Sequence, residues 1–173
     1  GSSWNYTFFV PHDIDALIKA MGGSKRFVEK LQWIFDNGHY DPTNEPDIAY
    51  PYLFSRVKGC ERYTQEQVRR LLDENYSTAP DGLPGNDDTG TMSAWAVFSM
   101  MGLYPDCPGE PYYTLTTPRF ERVEIDTTSG TIVISADGEG CYIKDIKLGG
   151  KRVGYRISHA ELIDAKELNL KLY

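Results

Sequence analysis

Apolar positions follow two different rhythms along this chain, and the change falls near residue 105. Before it, they recur roughly every three to four residues, the spacing of one helix face. Asp13 stands where it would cap a helix carrying Ile14, Leu17, Ile18 and Met21, ended by Gly22-Gly23. Ser24 would cap a second helix, with Phe27, Val28, Leu31, Ile34 and Phe35 in phase and Gly38 as the stop. A third is expected over 46–58, opened by Pro46 and kinked at Pro51. Thr64 and Gln67 match a capping box ahead of Val68, Leu71 and Leu72. A fifth helix would run from Thr91 to Met101, with Met92, Trp95, Phe98 and Met101 apolar and Gly102 ending it.

After Pro105 the alternation is that of strands. Phe120, Val123 and Ile125 belong to one, and Thr131–Ser135 to the next, with Ser129-Gly130 between them. Tyr142–Leu148, Arg152–Ile157 and Leu168–Leu172 continue the series, and Gly149-Gly150 reads as a hairpin turn. The fold class expected is α+β. A helical unit over 1–105 would be followed by a β-strand-rich unit over 106–173, antiparallel and sandwich-like. The loops 38–46 and 77–90 are longer than packing requires, which points to function or to a larger fold around them. The abrupt opening on Trp4, Tyr6, Phe8 and Phe9 points to a larger fold as well.

Composition narrows the partners. The 173 residues hold 18 Lys plus Arg against 25 Asp plus Glu, a net charge of −7. An acidic chain without a basic patch argues against nucleic acid or an anionic membrane surface. No stretch approaches the roughly 20 apolar residues of a membrane span. The cysteines, Cys60, Cys107 and Cys141, form no closely spaced pair, so neither a zinc site nor a disulfide scaffold is expected. The 12 Tyr and 3 Trp supply aromatic faces of the kind that sugar clefts use.

Three segments can carry chemistry, and each leads into a helix. Val10-Pro11-His12-Asp13, preceded by Trp4-Asn5-Tyr6, has a plain reading as core plus a helix cap. Asn44-Glu45-Pro46-Asp47 reads equally as an acidic first turn. The third runs Pro84-Gly85-Asn86-Asp87-Asp88-Thr89-Gly90-Thr91. A cap needs one carboxylate there, not two adjacent ones that repel, and the flanking glycines permit close approach of a ligand. Such a carboxylate can activate water for glycoside hydrolysis, and the same oxygens can hold Ca²⁺. On residue type and spacing alone, an active site, a metal site and a simple cap all remain open.

Taken in order, these stretches resemble glycoside hydrolase family 92, calcium-dependent exo-acting α-mannosidases. The motifs are Trp4-Asn5-Tyr6, Val10-Pro11-His12-Asp13, Met21-Gly22-Gly23, Asn44-Glu45-Pro46 and Gly85–Trp95, with Gly102-Leu103-Tyr104-Pro105 after them. Ile157-Ser158-His159 and Leu162 look like the family's closing strands. The resemblance implies that 1–105 is the C-terminal part of an (α/α)₆ catalytic barrel, and that an N-terminal part of the same protein is missing from this chain. It implies an inverting mechanism on mannose-containing glycans, with α-1,2 linkages as the expected target. Asp88 matches the base, with Asp87 as the fallback. Glu45, Trp4, His12 and Asn86 would contact the sugar. Asn44 and Asp88 would help hold Ca²⁺. The general acid would be a glutamate immediately before Gly1, so no residue here takes that role and the chain alone is expected to be inactive. A periplasmic or extracellular location is implied in the same way. A non-catalytic carbohydrate-binding or structural module is the rival reading.

Overall fold

The computed structural model describes residues 1–173. Its first part is helical: α1 (Ser3–Thr7), α2 (Ile14–Ala20), α3 (Ser24–Asp36), α4 (Tyr50–Leu53), α5 (Glu61–Asn75) and α6 (Thr91–Met101). Strands follow: β1 (Leu103–Tyr104), β2 (Tyr112–Leu115), β3 (Arg122–Thr127), β4 (Gly130–Asp137), β5 (Ile143–Leu148), β6 (Lys151–Arg152) and β7 (Arg156–Ser158). Helix α7 (His159–Ala165) then leads into the last strand, β8 (Glu167–Leu172).

Each long helix buries one stripe. In α3 it is Phe27, Leu31, Ile34 and Phe35, and in α5 Val68, Leu71 and Leu72 with Thr64, Gln65 and Gln67. Helix α6 buries Met92, Trp95, Ala96 and Ser99. The apolar residues of these stripes other than Met92 join Phe8, Tyr50, Tyr52, Leu53 and Phe54 in one cluster. A second cluster gathers Leu103, Leu115, Ile134, Ile146, Leu162, Leu168 and Leu170 on the strands and α7.

Several helix ends differ from the sequence pattern. The expected helix over 46–58 is broken into a 3₁₀ turn at Glu45–Asp47, α4, and a second 3₁₀ turn at Phe54–Arg56. Pro46 and Pro51 each remove a backbone donor, so no continuous ladder can form. Helix α3 is capped by Gly23 at φ 99°, and Ser24 is its first helical residue rather than its cap. Helix α5 begins at Glu61, a turn before the apparent capping box. Thr64 lies inside it, fully buried, its hydroxyl accepting from Ser55 Oγ at 2.9 Å. Helix α1 is opened by a capping box of Ser2 and Asn5 that periodicity could not reveal in five residues.

The β part holds two sheets, of order β1-β2-β7 and β3-β4-β8-β5-β6. The expected all-antiparallel arrangement fails at one place: β8 pairs parallel to β4 and antiparallel to β5. The last strand thus enters the middle of the larger sheet, where Leu168 and Leu170 are buried. The expected strand Arg152–Ile157 is divided between the sheets, β6 pairing with β5 and β7 with β2. His159 and Leu162, which the resemblance put on strands, lie on α7 because Ser158 and Glu161 cap each other and start a helix.

Candidate active site

Residues 45–50 organise the three segments. Asp47 is fully buried, and three N–H groups converge on its carboxylate. Asn5 Nδ2 donates at 2.7 Å and the Asp41 amide at 2.8 Å, both to Oδ2, while Asn44 Nδ2 donates to Oδ1 at 3.0 Å. Burial raises the Asp47 carboxyl above its ordinary value despite these donors. Three residues on, the Tyr50 hydroxyl donates to Asn5 O at 2.7 Å and accepts from the Phe8 amide at 3.0 Å. The segment around Trp4 and Asn5 is therefore tied to the Asn44–Asp47 turn by both side chain and backbone.

The Asp87-Asp88 loop is brought to the same turn. Trp95 Nε1, one turn into α6, donates to Ile48 O at 2.8 Å. Gly85 lies against Thr43, where a Cβ would stand 3.0 Å from the threonine Cβ and Cγ2. A side chain at 85 would require Thr43 to shift.

The two aspartates of this loop differ in what they do. Asp87 accepts from the Ser93 amide at 2.8 Å and the Ser93 hydroxyl at 2.7 Å. It satisfies an open donor of the first turn of α6 from outside the helix. Ser93's two donors hold the Asp87 carboxyl below the usual range, so it stays ionised in this role. Asp88 is exposed, its backbone sits at φ 41° with Thr89 at 63°, and its carboxylate has no partner within the chain. Side chains other than Gly rarely occupy such angles, and they do so where surrounding structure imposes them. Only Asp88's backbone carbonyl is engaged, accepting from Thr91 Oγ1 at 2.7 Å.

The remaining candidates sit around this frame. Asn86 is exposed beside Asp87. Glu45 is exposed at the start of its 3₁₀ turn and borders a cleft of about 240 Å³ lined by Phe8, Ile48, Tyr104 and Asp106. That cleft is apolar and includes neither Asn44 nor any residue of the Asp88 loop, so it is a neighbour of the candidate centre rather than its floor. The Trp4 ring stacks on His39 at 5.2 Å and meets Trp33 at 4.7 Å. His12 is exposed in the turn before α2, beside the capping Asp13, whose Oδ1 accepts from the Ala16 amide at 2.9 Å.

For a cation, Asn44 Oδ1 and the Asp88 carboxylate are hard oxygens without partners in the chain, which suits calcium in kind. Calcium takes about six to eight oxygens, and nowhere do three His, Cys, Asp or Glu side chains converge. The residues of this chain therefore fall short of a calcium shell. Sequence reasoning took Asp47 only as an acidic first-turn residue and gave Tyr50 and Ser93 no role, although these three hold the centre together. A buried acid three positions after Asn44 leaves no mark on the pattern that an exposed one would not leave.

A helical layer thus presents a free aspartate just before the start of α6, and a strand-rich unit follows it in the chain. The glycosyl hydrolase family 92 catalytic domain matches residues 1–173, and this chain belongs to that family. It is 31% identical over 177 residues to a protein named an uncharacterized secreted glycosidase from Arthroderma benhamiae, covering 98% of this chain and 23% of that protein. It is similar to the solved family GH92 α-mannosidase of Bacteroides thetaiotaomicron, with a TM-score of 0.87 and 28% identity over 99% of this chain and 24% of that one. A family GH92 inverting mannosidase from the same organism gives a TM-score of 0.87 at 31% identity, over 99% and 27% of the two chains. The chain spans about a quarter of the length of these relatives.

Proposed function

We propose that this chain is the C-terminal part of the catalytic unit of an exo-acting, inverting, calcium-dependent α-mannosidase that removes terminal mannose, with α-1,2 linkages preferred. Residues 1–105 would close an (α/α)₆ barrel and 106–173 would form its strand-rich companion. The observation that carries this reading is the division of labour in the Asp87-Asp88 pair. Ser93 occupies Asp87, which leaves Asp88 with a free carboxylate on a constrained loop. A carboxylate so held can orient a water and take its proton as the water attacks the anomeric carbon. Family membership and the solved mannosidases support the substrate class.

An inverting reaction also needs a carboxylic acid about 6.5–9.5 Å from the base, to protonate the leaving oxygen. We assign that acid to no residue of this chain and place it in the remainder of the family fold. The chain by itself would then be inactive. Glu45 would hold hydroxyls of the terminal mannose, with Trp4, His12 and Asn86 around it. Calcium, when bound, would supply positive charge to the sugar hydroxyls, Asn44 and Asp88 being its contacts from this chain. An extracellular or periplasmic site of action suits a glycan substrate and the relative named as secreted.

The test uses the full-length protein that carries this chain. Asp88→Asn should fold normally and lower kcat on α-mannobiose by about 10²-fold or more. Near-normal turnover would remove Asp88 from the mechanism. The purified 173-residue chain should show no turnover on the same substrate with calcium present, and measurable turnover would overturn its inactivity.

A further inference from the structure

Asp47 is a buried carboxylate without a counter-ion. Its near charged neighbour is Asp41, of the same sign. Desolvating a charge with no cation beside it costs stability, and a fold seldom keeps one unless its acceptors are in use. Here three N–H donors meet it, two of them from the candidate residue Asn44 and from Asn5, the neighbour of Trp4. Oδ2 takes Asn5 Nδ2 at 2.7 Å and the Asp41 amide at 2.8 Å, and Oδ1 takes Asn44 Nδ2 at 3.0 Å.

A carboxylate only accepts, so each amide that meets it must turn its NH₂ inward and its oxygen away. For Asn5 the displaced oxygen is taken up locally, by the Ser2 amide at 2.6 Å and the Ser2 hydroxyl at 2.9 Å. For Asn44 no group in the chain takes it. We infer that Asp47 is a positioning residue of the reaction centre. Its carboxylate fixes the Asn44 amide so that Oδ1 faces away from the buried network as a free acceptor, and it locks the Asn44–Glu45 turn to the segment carrying Trp4 and Asn5. The inference rests on the reading that Asn44, Glu45 and Asp88 serve one centre.

Asp47→Asn is nearly isosteric and removes this one property. Whichever way its amide is turned, an NH₂ group then faces Asn44 Nδ2 or the Asn5 and Asp41 donors. In the full-length protein on α-mannobiose, the variant should raise KM and lower kcat/KM by roughly 10²-fold, the scale of a misplacement of about 1 Å. A residue that only supports the fold would act differently: it would lower the active fraction, and so apparent kcat, and leave KM where it was. An unchanged KM in Asp47→Asn would overturn the assignment.

If Asp47→Asn fails to fold, Asn44→Ala serves in its place. It deletes the presented oxygen from a half-buried side chain, and it too should raise KM; a normal KM would sink the proposal. In the unmodified chain, the two side-chain amide protons of Asn44 should be well separated in shift and slow to exchange. Protons resembling those of a free asparagine would equally count against it. Asp88→Asn separates the two levels. Near-normal turnover there removes the shared centre and this inference with it. Loss of turnover there, beside an unchanged KM in Asp47→Asn, removes only the positioning role.

Discussion

At the last turn of α6 the chain must reverse, and Gly102 does it at φ 87°, its amide donating back to the carbonyls of Phe98 and Ser99. A Cβ at this position would lie 2.6 Å from Pro118 Cγ and 3.0 Å from the Pro118 nitrogen. Two costs therefore add: the left-handed backbone, about 1–2 kcal/mol for an L side chain, and displacement of a ring that cannot rotate away. Gly102→Ala should lower the urea midpoint by an amount equivalent to at least about 2 kcal/mol. An unchanged midpoint would mean that neither the backbone angle nor Pro118 resists a side chain at this position. Asp87 and Asp88 show the same dependence on local backbone. The sequence indicates that two adjacent carboxylates exceed what a cap needs. Which one caps is decided by the turn through Asp88 and Thr89 at positive φ, and that turn brings Asp87 rather than Asp88 onto Ser93.

At the scale of elements, α2, α3 and α6 were legible because their apolar stripes are long and in phase and because Gly residues end α2 and α6. The short pieces were not. A helix of five residues, α1, has too few positions to show a period, and the proline-broken stretch 45–56 mimics one amphipathic helix. Thr64 and Gln67 copied a capping box inside α5 because both are polar residues buried in its packed face. The turns at Ser129-Gly130 and Gly149-Gly150 are local and were readable; insertion of β8 between β4 and β5 is a long-range choice that alternation cannot encode. A capping box of Ser158 with Glu161 does start α7, and it yields a pH prediction. Ser158 Oγ and its amide donate to the Glu161 carboxylate and hold its carboxyl below the ordinary 4.5. A lowered folded value means the contribution is present above the unfolded value and lost as pH falls through the folded one. Protection factors of the α7 amides, taken against intrinsic exchange at each pH, should therefore fall as pH drops through the folded value of Glu161, which lies below the ordinary 4.5. In Glu161→Gln that loss of protection should be absent, and equal acid sensitivity in both proteins would refute the assignment.

Across the whole molecule, the helical cluster and the strand cluster meet at several places, among them the stack of Tyr52 on Tyr104 and a largely buried ion pair. Arg56, at the end of the second 3₁₀ turn, donates from Nε to Asp106 Oδ2 at 3.0 Å, with side chains 10% and 0% exposed. Asp106 follows β1, whose Leu103 belongs to the strand cluster. Glu110 backs the pair, meeting both Arg56 and Arg156. A second junction runs along α5, where the Ile143 amide donates to Gln65 Oε1 at 2.7 Å and the Tyr142 hydroxyl to Glu66 at 2.6 Å. Asp106 Oδ1 already lacks a partner, so the carboxylate depends on Arg56 for compensation. Arg56→Ala would leave a buried, uncompensated charge, an effect of about 3–5 kcal/mol, a large share of the total stability of a domain. The loss should appear as uncoupling as well as destabilisation. Trp4, Trp33 and Trp95 all lie on the helical side, so tryptophan fluorescence follows that cluster, while amide exchange at Leu168 and Leu170 follows the other. The two probes should report one transition in the native chain and separate midpoints in Arg56→Ala. The double variant Arg56→Met with Asp106→Leu removes both charges and should recover most of the lost stability, since paired replacement of a buried ion pair by apolar side chains is often neutral or better. If Arg56→Ala changes stability by less than roughly 0.5 kcal/mol, the pair is not what couples the helices to the strands, and the α5 junction and the Tyr52–Tyr104 stack carry that role.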